Sequence, residues 1–470
     1  MAPPRPTTVG TVTGQIGPRL VVAGTHSNVG KTTVTTGILA ALARRGLDVA
    51  GAKVGPDFID PGYHSLACGR PPRNLDAWMC GAEAMAPLAA RAASGAALLL
   101  IEGVMGLFDG AADGSLSSTA DVARLLDAPV ILVVDGSSLS SSVAALVHGY
   151  ATFDPDLRLA GVILNRVGSP VHEALLREAL ADQPVQVLGC LPRDPRFVWR
   201  DRHLGLVPVV EERDAVRAAL DSLAAAVDEH VDLDGLVSLA RTAPPIRTTP
   251  PALPSTQGRS RVAMAAGAAF SFAYTDTVEA LAAAGAEVVP FDPLEDDRLP
   301  EAVDGLLIGG GFPEEYAARL SSNRGLLEDL STKVAQGVPT WAECGGLLLL
   351  CQSLDGHAMA GVLTAEAEMT GRLTLGYRTA TLQADCVVGP AGAQIRGHEF
   401  HYSRVTPAGE GLSLGSRFST RPEGWAGTNL LATYLHHHPG GDPAPVGHFA
   451  ASAAAFRRRR QTGRSDPGES

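Results

Sequence analysis

Short apolar runs recur along this chain, each separated from the next by a longer stretch that can return as a helix. The first run, 20–23, leads through a glycine-containing loop into a helical stretch over 31–45. Further runs follow at 48–53, 98–102, 130–135, 160–165 and 185–188. Strand, helix and strand in repeated order predict a parallel sheet covered on both faces, an α/β architecture. Residues 241–260 break the rhythm: they are rich in Pro, Ser and Thr and carry almost no apolar periodicity, which predicts a linker. The α/β rhythm restarts with runs at 261–265, 287–291, 305–311 and 338–344, the last entering an apolar helix. The pattern divides the chain into a first domain over 19–240, the linker, a second domain over 261–456 and a polar tail over 457–470. Residues 1–18, rich in Pro, Gly and Thr, are expected to be disordered.

Composition narrows the function. At 470 residues the chain exceeds one typical core, which agrees with two domains. A net charge of −12 argues against non-specific nucleic-acid binding, since a phosphate backbone would be repelled. The six cysteines are scattered without a CxxC pair, as in reduced thiols of a cytoplasmic protein. No apolar run reaches signal-peptide or transmembrane length, so neither secretion nor a membrane partner is expected.

The loop from Gly24 to Thr33, Gly-Thr-His-Ser-Asn-Val-Gly-Lys-Thr-Thr, lies between a strand and a helix, the context a P-loop requires. Its glycines let backbone N–H groups approach phosphates at a helix N-terminus. Gly24, Thr25, Asn28, Val29, Gly30 and Thr33 are the expected ATP cradle; Lys31 would reach the terminal phosphates and Thr32 would help hold Mg²⁺. Five residues rather than four separate Gly24 from Gly30, and this enlarged loop resembles that of dethiobiotin synthetase and its relatives, which activate a carboxylate with ATP. Downstream, Asp57 and Asp60 sit in a loop at a strand end, and Glu102 ends an apolar strand ahead of Asp109. Carboxylates at the C-terminal edge of such a sheet suit Mg²⁺ and substrate.

The segments KVGPDFIDPGYH (53–64), NLDAWM (74–79) and EGVMGLFDG (102–110) resemble the cobyrinate a,c-diamide synthases, including the hydrogenobyrinate enzymes of the aerobic cobalamin pathway. The resemblance implies a doubly wound, mostly parallel P-loop domain. It gives Lys31, Thr32, Asp57 and Glu102 to nucleotide and metal, and Asp60, Asp109, Tyr63 and His64 to the substrate. Asn165, ending a strand, resembles an adenine-contacting Asn of dethiobiotin synthetase relatives; a strand-end Asn is also often a cap.

In the second half, Pro-Thr-Trp-Ala-Glu-Cys-Gly-Gly (339–346) places Cys344 at a strand-to-helix corner whose small neighbours permit a strained elbow. A helix N-terminus would stabilise its thiolate. Attack on a glutamine amide needs paired N–H donors for the oxyanion, and Gly311 and Gly345 are placed to supply them. These features resemble class I (triad) glutamine amidotransferases, which implies a flavodoxin-like α/β domain. The family motif puts the catalytic histidine after Thr-Tyr-Leu, at His436. His438 occupies the position two residues on where many triad enzymes carry Glu, and it is a candidate for catalytic support. Extended backbone would put His436 and His438 on one face. A metal site is the competing reading of three successive histidines. Arg396-Gly-His-Glu-Phe-His-Tyr-Ser403 and Gly309–Ala317 also resemble the corrinoid branch, with Glu314 as a candidate for the glutamine amino group.

Together the halves imply a cytoplasmic ligase: ATP phosphorylates a corrin-ring carboxylate, Mg²⁺ offsets charge, and ammonia from L-glutamine attacks the acyl phosphate. The build is compatible with a homodimer. Two alternatives stay open: an amidotransferase on another carboxylate, of the cobyric acid synthase kind, and a ParA-like ATPase switch whose second domain only binds partners.

Overall fold

The computed structural model describes residues 14–462, apart from 112–113, 198–200, 203–204, 250–252 and 255–257. The chain forms two compact units. One comprises Met1–Ala77, Gly81–Asp201 and Asp214–Ala252; the other comprises Trp78–Cys80, Arg202–Arg213 and Leu253–Ser470.

The first unit is built on a seven-stranded parallel sheet. Across it the strands run Asn74–Leu75, Val49–Val54, Leu98–Glu102, Arg19–Gly24, Val130–Asp135, Leu159–Val167 and Gln186–Pro192. Arg19–Gly24 is the middle strand, buried at every residue. The connection from this strand runs to one side and that from its neighbour Val130–Asp135 to the other, so the loop after Gly24 opens at a topological switch point, where α/β sheets bind ligands. The register sets Val22 and Lys53 on either side of Glu102. The expected P-loop helix is Lys31–Arg44.

Two sequence expectations change here. The stretch expected to be a linker contains the strand Ile246–Thr248, paired antiparallel with Gly14–Ile16 from the stretch expected to be disordered. Ile16 is fully buried. Neither segment shows periodicity because each is only three residues long and finds its partner across the whole unit.

The second unit carries a six-stranded sheet in the order Ala286–Phe291, Ser260–Ala265, Gly305–Ile308, Thr340–Glu343, Leu430–Thr433 and Trp425–Gly427. All neighbours are parallel except the final pair. Against expectation it also carries a second, largely antiparallel sheet, dominated by the long strands Glu366–Leu382 and Gln394–Thr406. On Gln394–Thr406 the alternate positions 395, 397, 399, 401, 403 and 405 are all buried, but Glu399, His401 and Ser403 occupy three of them. That polar content hid the period of two. The C-terminal helix Ala444–Thr462 runs on beyond residue 456, where a tail was expected. Arg457 and Arg460 lie 3.5 and 2.8 Å from the fully buried carboxylate of Asp304, which ties down the basic run. Among the described residues no helix is long and apolar enough to cross a membrane.

Candidate active site

In the first unit the loop turns through two left-handed residues, Asn28 (φ 64°) and Gly30 (φ 97°). A Cβ on Gly30 would stand 2.2 Å from the Asn165 amide nitrogen, so only glycine leaves room for that amide. Asn165 donates to the carbonyl of Val29 at 3.0 Å and accepts from the Arg166 N–H at 2.9 Å. Arg166 in turn donates to the Asn28 carbonyl at 2.9 Å. Asn165, expected at the adenine, thus braces the loop from beneath. Tyr150 Oη donates to the carbonyl of Thr25 at 2.5 Å, and Lys31 folds back onto the carbonyl of His26 at 3.2 Å. Thr33 follows Thr32 in the first turn of the helix.

Behind the loop lies a charged cluster. Thr32 Oγ1 donates to Glu102 Oε1 at 2.7 Å and lies 3.2 Å from Asp60 Oδ2. Lys53 Nζ touches the same two carboxylate oxygens, at 2.6 Å to Asp60 and 2.7 Å to Glu102. Burial opposes both charges, yet Asp60 and Glu102 hold the Lys53 ammonium above its ordinary range, while Lys53 and His64 hold Glu102 below its own. Burial, with Asp57 and Glu102 nearby, raises the Asp60 carboxyl against the pull of Lys53.

The roles of the two neighbouring aspartates differ from expectation. Asp57, expected at the metal, accepts the Ile59 and Asp60 N–H groups at 2.8 and 3.0 Å and so caps the start of helix Asp60–Cys68. Asp60, expected at the substrate, is the one that joins Thr32 and Glu102. Tyr63 and His64 are each 1% exposed, so neither is presented to a substrate in this conformation. His64 Nε2 lies 2.6 Å from Glu102 Oε2, because helix geometry turns residue 64 inward toward the strand. Asp109 is exposed and accepts the Gly106 N–H at 2.9 Å.

The donor set fits Mg²⁺: a hydroxyl and two carboxylates converge where one cation, the Lys53 ammonium, already lies. Hard oxygen donors in that small number suit a magnesium ion that shares its remaining positions with phosphate and water. Among the described residues, no group of three or more His, Cys, Asp or Glu could hold a metal, which leaves the three histidines without a ligand set.

In the second unit Cys344 ends the strand Thr340–Glu343 with φ 48° and ψ −101°, a strained conformation for a non-glycine residue. Its N–H donates to the Thr433 carbonyl at 2.8 Å, on the strand that leads to His436. A Cβ on Gly346 would meet the Ile308 carbonyl at 2.2 Å, so the elbow closes only over glycine. Gly310 lies where the two halves of the site meet. A Cβ there would stand 2.6 Å from His436 Cε1, and one on Gly345 would stand 3.4 Å from the Gly310 carbonyl carbon and 3.1 Å from Gly311 N. The two candidate oxyanion donors, Gly311 and Gly345, are therefore adjacent.

The thiol itself departs from expectation. Burial, with Glu314 close by, raises its pKa against the pull of the Gly345 N–H. Burial of Cys344 outweighs the help that a helix N-terminus gives the thiolate, which favours the protonated thiol. A base is required.

His436 sits opposite His398 in the antiparallel pairing of His436–His437 with Gln394–Thr406, and the two rings stack with centroids 5.0 Å apart. His436 Nδ1 is 3.5 Å from Glu343 Oε2. His438 leaves the strand: its Nδ1 accepts the Gly440 N–H at 3.0 Å, and its Nε2 is 3.9 Å from Asp276. Besides Glu343, two buried carboxylates were given no role by the sequence. Glu399 is held at about 2, against burial, by His401, Arg421 and Arg378. Glu423 accepts from Thr433 Oγ1 at 2.7 Å and from the Tyr434 N–H at 2.8 Å, beneath the turn that delivers His436.

Residues 20–206 match the model of the CobQ/CobB/MinD/ParA nucleotide binding domain, and 261–444 that of the CobB/CobQ-like glutamine amidotransferase domain. A hydrogenobyrinate a,c-diamide synthase of Streptomyces coelicolor is 49% identical, over 93% of this chain and 97% of its own. Its counterpart in Thermobifida fusca is 46% identical over 95% and 99%. A cobyrinate a,c-diamide synthase of Syntrophotalea carbinolica is 45% identical over 90% and 95%.

Proposed function

Since this chain belongs to the cobyrinate and hydrogenobyrinate a,c-diamide synthases, ATP- and glutamine-dependent ligases of cobalamin biosynthesis, we propose that it forms each amide through an acyl phosphate and ammonia released at Cys344. The observation that carries this mechanism is the presence of two complementary sites in one chain. One is a P-loop backed by Thr32, Glu102 and Asp60; the other is a strained cysteine elbow whose neighbouring glycine meets the His436 ring.

A carboxylate is a poor electrophile, and transfer of the γ-phosphoryl group from ATP supplies its leaving group. Lys31 and the loop N–H groups hold the nucleotide phosphates. Thr32, Glu102 and Asp60 would hold Mg²⁺, which neutralises charge on the phosphates when bound. Asp109, exposed beyond the loop, is the residue we assign to positioning of the corrin substrate or stabilisation of its intermediate. In the second unit His436 takes the Cys344 proton, the thiolate attacks the amide carbon of glutamine, and the Gly311 and Gly345 N–H groups receive the oxyanion. The imidazolium then protonates the departing ammonia, and water hydrolyses the thioester to glutamate.

The test is a product-mass assay on hydrogenobyrinic and cobyrinic acids with ATP, using either glutamine or ammonium as nitrogen source. Two successive losses of about one mass unit are expected, with Cys344→Ala active on ammonium alone. Glutamine-dependent product from that variant would overturn the role of Cys344, and ATP turnover with no mass change in either acid would overturn the corrin substrate.

A further inference from the structure

We propose that Glu343, the residue before the nucleophile, orients His436 and supports its charge, the task that many triad amidotransferases give to an acid two residues beyond the histidine. That later position is His438 here, and its ring is directed elsewhere: Nδ1 accepts the Gly440 N–H and Nε2 faces Asp276. The inference rests on the reading of Cys344 and His436 as nucleophile and base.

Three contacts of the His436 ring bear on its orientation. His398 stacks on its face. Its Cε1 edge lies against the bare Cα of Gly310, on the side of Gly345 and the elbow. Its Nδ1 lies 3.5 Å from Glu343 Oε2, within ion-pair distance though not hydrogen-bonded to it in this conformation. The Glu343 carboxylate is itself fixed, since Oε1 accepts the His437 N–H at 3.3 Å and the side chain is 12% exposed. With Nδ1 turned to the carboxylate, Nε2 is the nitrogen left for the thiol. The proton then passes from Cys344 Sγ to Nε2, leaving a thiolate and an imidazolium. The imidazolium carries its positive charge on the ring that faces Glu343. His398, stacked on the ring, and His438, close to His398, can supply no negative charge. Glu343 is an acid at ion-pair distance from Nδ1.

The strand geometry explains why the acid can come from this side. Glu343 pairs in register with Thr433, three residues before His436, so the nucleophile strand and the histidine strand run side by side. An acid at the end of the first reaches back to the imidazole without any residue after it.

The experiment compares Glu343→Gln, which keeps size and removes charge, with His438→Gln, Cys344→Ala and His436→Ala in the full chain. Glutamine hydrolysis, ammonium-dependent amidation and glutamine affinity in a Cys344→Ala background are each measured. Glu343→Gln is expected to lower glutaminase kcat by about tenfold or more. KM for glutamine, glutamine affinity and the ammonium-dependent rate should stay within about twofold, and Glu343→Asp should recover part of the loss. A glutaminase kcat within about threefold of the parent, a matching loss of glutamine affinity, or a larger loss from His438→Gln overturns the proposal. If Cys344→Ala or His436→Ala keeps glutaminase activity, it is the underlying reading of the site that fails.

Discussion

A methyl group on Gly310 would stand 2.6 Å from Cε1 of His436. No Cβ is accommodated at that distance, so Gly310→Ala must push the imidazole away from the elbow or move the strand end. We expect glutamine-dependent amidation to fall by about 10²-fold, with ammonium-dependent amidation retained, because only the proton-transfer geometry is lost. The ratio of the two rates checks this; equal losses would show that the substitution disturbs the fold instead.

Lys31 sits in a buried position beside Lys53, and both effects lower its pKa to about 8, against the pull of Glu102, Asp60 and Asp109. Above about pH 8 much of the free protein therefore carries a neutral Lys31, while a bound phosphate favours the ammonium form. Nucleotide binding should then take up a fraction of a proton, and affinity should weaken as pH rises through that value. Titration calorimetry in buffers of different ionisation enthalpy reads the uptake directly. Proton release, or none, would refute it.

Burial raises the carboxyl of Glu423 to about 7, against the hydrogen bonds from Thr433 and Tyr434. An acid whose folded pKa lies above its unfolded value binds more protons when folded, so its contribution to stability is present at low pH. That contribution is lost as pH rises from about 4.5 to about 7, and amounts to on the order of 3 kcal/mol. Glu423→Gln can keep both contacts if the Thr433 hydroxyl turns to accept. The variant should show a smaller fall in thermal midpoint between pH 5 and pH 8, to be followed by calorimetry.

Lys53 is the cation between two carboxylates, with side-chain exposures of 4% for Lys53, 14% for Asp60 and 0% for Glu102. Lys53→Met should destabilise the first unit by about 3–5 kcal/mol, since the remaining charges lose their partner. Added Mg²⁺ and ADP should recover more of the thermal midpoint in the variant than in the parent protein. An equal rise in both would count against metal binding at these carboxylates.

What the sequence made legible depended on how far each residue's task reaches. The P-loop and the cysteine elbow are written as contiguous motifs, so spacing alone reveals them, although the residues that hold Gly30 and Gly346 to glycine, Asn165 and Ile308, lie far off in sequence. Glu102 was visible because it ends an apolar strand. Lys53 was not, because its task is set by register with Glu102 on the next strand. Whether Asp57 or Asp60 faces Thr32 was not legible, because which one caps and which one turns inward is decided by where the helix begins. Glu399 and Glu423 meet the histidine region from a second sheet whose buried positions are partly polar, and Glu343 meets it from the end of the nucleophile strand; no periodicity signals such an assembly.

The ribbon of Gly14–Ile16 against Ile246–Thr248 joins the two ends of the first unit at a single place. A body whose chain enters and leaves side by side can be spliced into, or out of, a longer polypeptide without rerouting its interior. The same carboxylate-activating module could in this way be handed between different nitrogen donors during descent, its seam being three pairs of residues of which Ile16 alone is buried in the core.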